Sequence, residues 1–123
     1  MRLYDYELSG NCYKIRLFLS ILGKSFDTQT VDFYPGREHK SEAFLALNPL
    51  GQLPILEDAG QVLSGSDVIL SHLAAQYDAS QKWHPQNLRR DISKWMQVAD
   101  EITTTSSAAR LHDTFFYDLN IDT

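Results

Sequence analysis

The sequence predicts an α/β fold: a domain of element order βαβ, α, ββ, α, then a linker, then one long or broken helix. Two patterns carry that prediction. Residues 3–31 switch from strand to helix periodicity and back, and residues 47–77 pass from a helical turn through Asn48-Pro49-Leu50-Gly51 into a short apolar strand, a hairpin and an amphipathic helix. The 123 residues, 43% of them hydrophobic, suffice for one compact domain with a real core and a helical appendage.

Each element has its own justification. Leu3 to Tyr6 alternates aromatic and polar residues as a short strand does, and Ser9, Gly10 and Asn11 supply turn and N-cap chemistry. Ile15, Phe18, Leu19 and Leu22 then recur at helical spacing, and Gly23 is placed to end that helix. Phe26 to Val31 alternates as a second strand, and Asp32 to Ser41 reads as an exposed loop. Glu42 to Leu47 is a helical turn, and Ile55–Glu57 and Gln61–Leu63 form a hairpin across Asp58-Ala59-Gly60. Ser66 is expected to cap a helix whose buried face carries Val68, Ile69, Leu73, Ala74 and Tyr77. Asp78 to Asn87 reads as a linker and Leu88 to Ile102 as a helix. The run Thr103 to Ser107 predicts a bend or break, because its β-branched and hydroxyl side chains each weaken a helix by a few tenths of a kcal/mol.

Charge and cysteine usage narrow the function. A formal net charge of -5 with no dense basic cluster argues against nucleic acid or an anionic membrane as partner. One cysteine excludes an internal disulfide framework and a multi-cysteine metal site, and no metal is expected. The N-terminus lacks the apolar core of a signal peptide and no stretch reaches the roughly 20 apolar residues that span a bilayer, so a cytoplasmic soluble protein is expected.

Pro54 stands at the mouth of an apolar strand, where it has no N–H to give a sheet. It implies an edge position, or a cis Leu53-Pro54 peptide that turns the Leu53 backbone outward, free to pair with an extended peptide. With Asn48-Pro49-Leu50-Gly51-Gln52-Leu53-Pro54, Ser9-Gly10-Asn11-Cys12 and Ser66-Asp67, the chain resembles the cytosolic glutathione transferases, of the bacterial, serine or theta-like type. The resemblance is strong to about Tyr77 and looser beyond. It implies a thioredoxin-like, glutathione-binding domain over residues 1–78, a linker over 79–87 and the start of a helical C-terminal domain over 88–123. Members of the family continue through further helices that wall off the second-substrate site, so most of that wall is expected to be absent here.

By the same resemblance, glutathione is the co-substrate and its thiol is made a thiolate for an unknown electrophile. Each pKa unit of thiol depression is about 1.4 kcal/mol of preference for the anion, and a hydroxyl donor with a helix N-terminus can supply a few units. Ser9 takes the role of thiolate donor and Asn11 is a second candidate, the alternative being that both only make turn and cap bonds. Leu53, before cis Pro54, would pair with the cysteinyl backbone of glutathione. Lys40, next to His39, and Gln52 are candidates for its glycine carboxylate. Ser66 and the first turn of its helix would take the γ-glutamyl carboxylate.

The family places an acid just before that serine to hold the γ-glutamyl amine, and here that position is Gly65. Losing such a charge-assisted bond weakens binding by about one to two powers of ten. Asp67 is adjacent and is the one candidate to compensate, but its side chain is expected to point differently, and it is read as an ordinary helix-start acid. Cys12 in the second slot of a Cys-x-x-Cys-like motif is expected to be buried and inert, and His72 to be structural. Trp95 and Met96 on the long helix read as core or dimer packing, and a homodimer is expected. The alternative to an active transferase is a non-catalytic transferase-like binding or dimerisation module, or a fragment of an active enzyme.

Overall fold

In the computed structural model of the chain, residues 1–116 are described; positions 117–123, the last of the expected helical domain, lie outside the described residues. The described chain forms two units, Met1–Trp83 and a second beginning at His84.

The first unit is built on a four-stranded mixed sheet. Its strands are β1 (Arg2–Asp5), β2 (Asp27–Thr30), β3 (Ile55–Asp58) and β4 (Gln61–Ser64), in the order β2-β1-β3-β4. β1 and β2 run parallel, joined by helix α1 (Gly10–Ile21); β3 runs antiparallel to both β1 and β4. Helices α2 (Glu42–Leu47) and α3 (Ser66–Tyr77) complete the predicted order.

Strand alternation sorts the core into two layers. Leu3 and Leu56 face each other across β1 and β3 and join Ile15, Phe18, Leu19, Ile69, Leu73 and Ala74 from α1 and α3. One residue along, Tyr4 and Ile55 point to the opposite face, where Ile55 clusters with Val31 and Phe44 and is flanked by Tyr4, Leu47 and Leu53. The period of two thus splits the apolar residues between the α1/α3 side and the α2 side. Full burial of a Leu or Ile side chain stabilises by about 1.5–3 kcal/mol, so the central pair β1–β3 anchors the fold. Val68, expected on the buried face of α3, is 47% exposed, because the stripe that faces α1 runs through Ile69 and Leu73 instead.

Helix ends follow local chemistry. Ser9 Oγ accepts the Cys12 N–H at 3.1 Å, and Gly23, at φ +63, lets the Lys24 N–H turn back to the Leu19 carbonyl at 3.0 Å. Ser41 caps α2 through the Phe44 N–H. Asp58, at the end of β3, accepts from Tyr77 Oη at 2.8 Å and lies 2.8 Å from His72 Nε2, which ties the hairpin to α3. His72 is therefore structural. Asp78 accepts the Trp83 N–H at 2.8 Å and the Ser80 hydroxyl, and the Trp83 ring meets Phe18 edge-on at 6.1 Å, so residues 78–83 fold onto the first unit.

In the second unit, helix α4 (Arg89–Ile102) continues through a π-helical stretch, Thr103–Ser107, into helix α5 (Ala108–Phe115). The expected bend or break takes this form because threonine hydroxyls bond back to the preceding turn: Thr103 Oγ1 donates to the Ala99 carbonyl and Thr104 Oγ1 to that of Asp100, each at 3.1 Å. Among the described residues no helix is long and apolar enough to cross a membrane.

Candidate functional site

Strand register gathers the candidate residues at one end of the sheet. Asp5, the last residue of β1, pairs with Thr30, the last of β2; Ile55, the first of β3, pairs with Ser64, the last of β4, and with Tyr4. The loop to Ser9, the chain after Thr30, the Leu53-Pro54 approach and the Gly65-Ser66 helix start therefore all leave the sheet at the same edge. Loops at the carboxyl ends of parallel strands beside helix N-termini are where α/β folds place ligands.

At α1, the Ser9 hydroxyl is already an acceptor for the Cys12 amide, which leaves its proton to donate elsewhere. Asn11 is half-buried and its Oδ1 accepts from Lys14 Nζ at 2.8 Å, so that oxygen is occupied. Cys12 is fully buried, and burial pushes its thiol pKa up despite the hydrogen bond with Ser9 that opposes the shift. A thiol held protonated inside the core is a poor nucleophile.

The Leu53-Pro54 peptide is cis. Buried Asn48 braces the turn before it: Asn48 Nδ2 donates to the Gln52 carbonyl at 3.0 Å, Asn48 Oδ1 accepts the Leu50 N–H at 3.1 Å, and the Gly51 N–H bonds the Asn48 carbonyl at 2.8 Å. Among the described residues neither the N–H nor the C=O of Leu53 is bonded to another backbone group. That half-buried segment presents a donor and an acceptor as a strand edge does.

Residues 32–41 are not simply an exposed loop. A 3-10 turn at Glu38–Lys40 tucks His39 inside, 1% exposed, stacked on Phe33 with ring centroids 4.0 Å apart; Phe33 in turn lies 5.3 Å from Tyr6. The aromatic row Tyr6-Phe33-His39 outweighs the polar character of the segment and links the end of β1 to the turn. Both ring nitrogens of His39 are buried without a hydrogen-bond partner among the described residues. Burial, with the Lys40 and Arg37 charges, pushes the imidazole down to about 4, so it is neutral at pH 7. A Cβ on Gly51 would stand 2.8 Å from the His39 carbonyl oxygen and 2.9 Å from Lys40 Nζ. The exposed Lys40 ammonium is thereby brought beside the Gly51-Gln52 turn, and Gly51, at φ +60, is required there.

At α3 the cap residue is Gly65, not Ser66. Gly65, at φ +91, turns the chain out of β4 and its carbonyl accepts the Ile69 N–H at 3.0 Å, while Ser66 is the first helical residue. Ser66 is buried, at 8% exposed. Asp67 Oδ1 lies 3.0 Å from the place a Cβ on Gly65 would take. The sequence offered no sign of the burial of His39, because it depends on a backbone turn that residue type alone does not specify. Among the described residues no three His, Cys, Asp or Glu side chains come together as a metal set.

The sheet and its helices form a thioredoxin-like fold, with a serine at a helix cap and a cis proline at one end of the sheet. Residues 3–81 match the family model of the glutathione S-transferase N-terminal domain, and the chain belongs to that family. It is 38% identical over 89 residues to glutathione S-transferase theta-1 of Bos taurus, covering 72% of this chain and 37% of that protein. It is 35% identical over 92 residues to the maleylacetoacetate isomerase of Pseudomonas aeruginosa, covering 73% and 43%. Among solved structures, human glutathione transferase theta-2 in complex with glutathione superimposes with a TM-score of 0.79 at 27% identity, over 90% of this chain and 46% of that one. The chain thus spans less than half the length of these relatives.

Proposed function

We propose that this chain binds glutathione on its Met1–Trp83 unit and presents the sulfur as a thiolate to an electrophile. The observation that carries the reading is the convergence, at one end of the sheet, of the Ser9 hydroxyl, the unpaired Leu53 backbone and the N-terminus of α3. The likeness to human theta-2 transferase, whose structure holds glutathione, supports it.

In this reading Leu53 pairs with the cysteinyl backbone of the tripeptide, as an added strand would. Ser9 donates its free proton to the sulfur, and the N-terminus of α1 adds a positive field. The thiol proton leaves to solvent, a sulfur lone pair forms the new C–S bond and the electrophile sheds its leaving group or takes up a proton. Lys40 and Gln52 stand where the glycine carboxylate would lie, and Ser66 with the α3 amides takes the γ-glutamyl carboxylate. The electrophile is not specified by these residues. A homodimer through α4 belongs to the same reading: Trp95, Val98 and Ile102 lie exposed at helical spacing, and a monomer in sedimentation velocity would remove it.

Calorimetric titration with reduced glutathione should show saturable binding, with thiolate absorbance in the bound state. Ser9→Ala should abolish the absorbance and leave affinity nearly unchanged. An unchanged thiolate signal would take Ser9 out of the mechanism, and absence of any saturable binding would refute the site.

A further inference from the structure

Ser9 stands on a segment with little apolar packing of its own. Glu7, Leu8 and Gly10 around it are exposed, Leu8 by 55%, and a Cβ on Gly10 would meet nothing within 4 Å. On the helix side Ser9 is fixed by its cap bonds, from the Cys12 N–H to Oγ at 3.1 Å and from the Tyr13 N–H to its carbonyl at 2.9 Å. On the strand side its own N–H closes a turn onto the Tyr6 carbonyl at 3.0 Å.

Arg16 braces that turn from the body of α1. It lies about two helical turns beyond Ser9 on the same face, and helical side chains tilt toward the N-terminus, so its guanidinium reaches back over the start of the helix. Arg16 Nη1 donates to Asp5 Oδ1 at the end of β1, and Nη2 donates to the Glu7 carbonyl at 3.2 Å. The guanidinium also lies over the Tyr13 ring, 5.7 Å from its centroid. Asp5 is a firm anchor, buried, with its carbonyl accepting the Val31 N–H at 2.9 Å. One planar fork thus ties the end of β1, the loop to Ser9 and helix α1 to each other.

We propose that Arg16 is a positioning residue for thiol activation: by holding Asp5 and the Glu7 carbonyl together, it sets where the Ser9 hydroxyl stands against the sulfur of bound glutathione. The proposal rests on the reading of Ser9 as the thiolate donor. The charge of Arg16 is not the working part, because the Asp5 carboxylate pairs with it directly. The fork is. Lysine carries the same charge and can still pair with Asp5, but its single nitrogen cannot serve two acceptors in the plane that the guanidinium defines. A hydrogen bond weakens steeply as it lengthens or bends, so a small displacement of Ser9 reaches the thiolate.

The test is a pH titration of the thiolate absorbance of glutathione bound to the full chain, with calorimetric affinity measured alongside. Arg16→Lys should raise the pKa of the bound thiol by about one unit, a tenfold smaller thiolate fraction below that pKa. Affinity for S-methylglutathione, which has no thiol to ionise, should stay within about twofold. In a Ser9→Ala background the same substitution should add no further shift, because its effect passes through the hydroxyl. Asp5→Asn keeps an acceptor for Arg16 and removes its counter-charge, and should leave the thiol pKa where it was. A merely structural arginine would lower the melting temperature of R16K without moving the thiol pKa, and that result overturns the proposal. So does a further upward shift in the Ser9→Ala background or a downward shift in D5N, either of which would make the guanidinium charge the agent. All three leave the glutathione site standing. Failure of the unsubstituted chain to bind glutathione, or a thiolate signal that survives Ser9→Ala, overturns the site reading and this proposal with it.

Discussion

His39 couples the stability of the first unit to acid. Its ring is 1% exposed, stacked on Phe33, with both nitrogens unpartnered among the described residues, and burial with the Lys40 and Arg37 charges pushes it from an ordinary 6.5 to about 4. In the unfolded chain the imidazole titrates at its ordinary value. Between pH 6.5 and about 4 the unfolded state therefore takes up a proton that the native state refuses; stability is whole above that window and falls as pH falls through it. At about 1.4 kcal/mol per pH unit, the loss amounts to about 2 kcal/mol by pH 5 and about 3 kcal/mol at the lower end. His39→Leu removes the titration and keeps an apolar plug of similar size against Phe33. Urea unfolding followed by circular dichroism at pH 7.5, 6.5, 5.5 and 4.5 should show the variant gaining on the original chain by about 1.4 kcal/mol per unit below pH 6.5. At pH 7.5 it should be no less stable, since two buried unsatisfied nitrogens are gone. Carboxylates that titrate in both proteins cancel from the difference. Parallel pH profiles would refute the argument and place the imidazole in contact with water.

Two further outcomes follow from the same unit. Burial raises the Asp58 carboxyl, but hydrogen bonds from His72 and Tyr77 with the His72 charge outweigh it and hold the group below its ordinary value. Its contribution is thus present above about pH 4 and is lost as pH falls through the depressed native value; Asp58→Asn should destabilise at pH 7 and give a shallower acid limb in thermal melts, and an unchanged limb would dismiss the cluster as a stabiliser. Gly65→Ala should lower the urea midpoint by the equivalent of about 1 kcal/mol or more, because φ +91 strains any Cβ, and a neutral effect would show that the cap relaxes.

The sheet and helices were legible because they follow from period alone. Leu3 and Tyr4, on opposite faces of one strand, need only alternate to find Leu56 and Ile55, and the spacing of Ile15, Phe18, Leu19 and Leu22 fixes the face of α1. Pro54 was legible because proline leaves few backbone options. The polar string Asp32 to Ser41 hid a buried imidazole, because hydropathy cannot report that Phe33 will fold over His39. Gly65 and Ser66 were misassigned by one position, since Ser is the commoner cap and only the turn out of β4 demands a positive φ.

In the first core layer each side chain obeys the pattern that placed it, and in the hairpin Asp58 is bonded by both His72 and Tyr77. At the end of the sheet where Leu53 and the start of α3 lie, polar groups go unmet among the described residues: the two His39 nitrogens, the Ser66 hydroxyl and the Leu53 peptide groups. A buried polar group left unmade costs roughly 1–3 kcal/mol, and of these groups only the His39 nitrogens are fully enclosed. Under the proposed function the Leu53 peptide groups and the Ser66 hydroxyl, not the enclosed imidazole, are the ones the ligand satisfies. A bound tripeptide that occupies these groups should protect the Leu53 and Ser66 amides from hydrogen exchange, while amides in the β1–β3 ladder, already bonded, should change little. Equal protection across the sheet would mean that the ligand acts on global stability alone, and that the unmet groups are not its contacts.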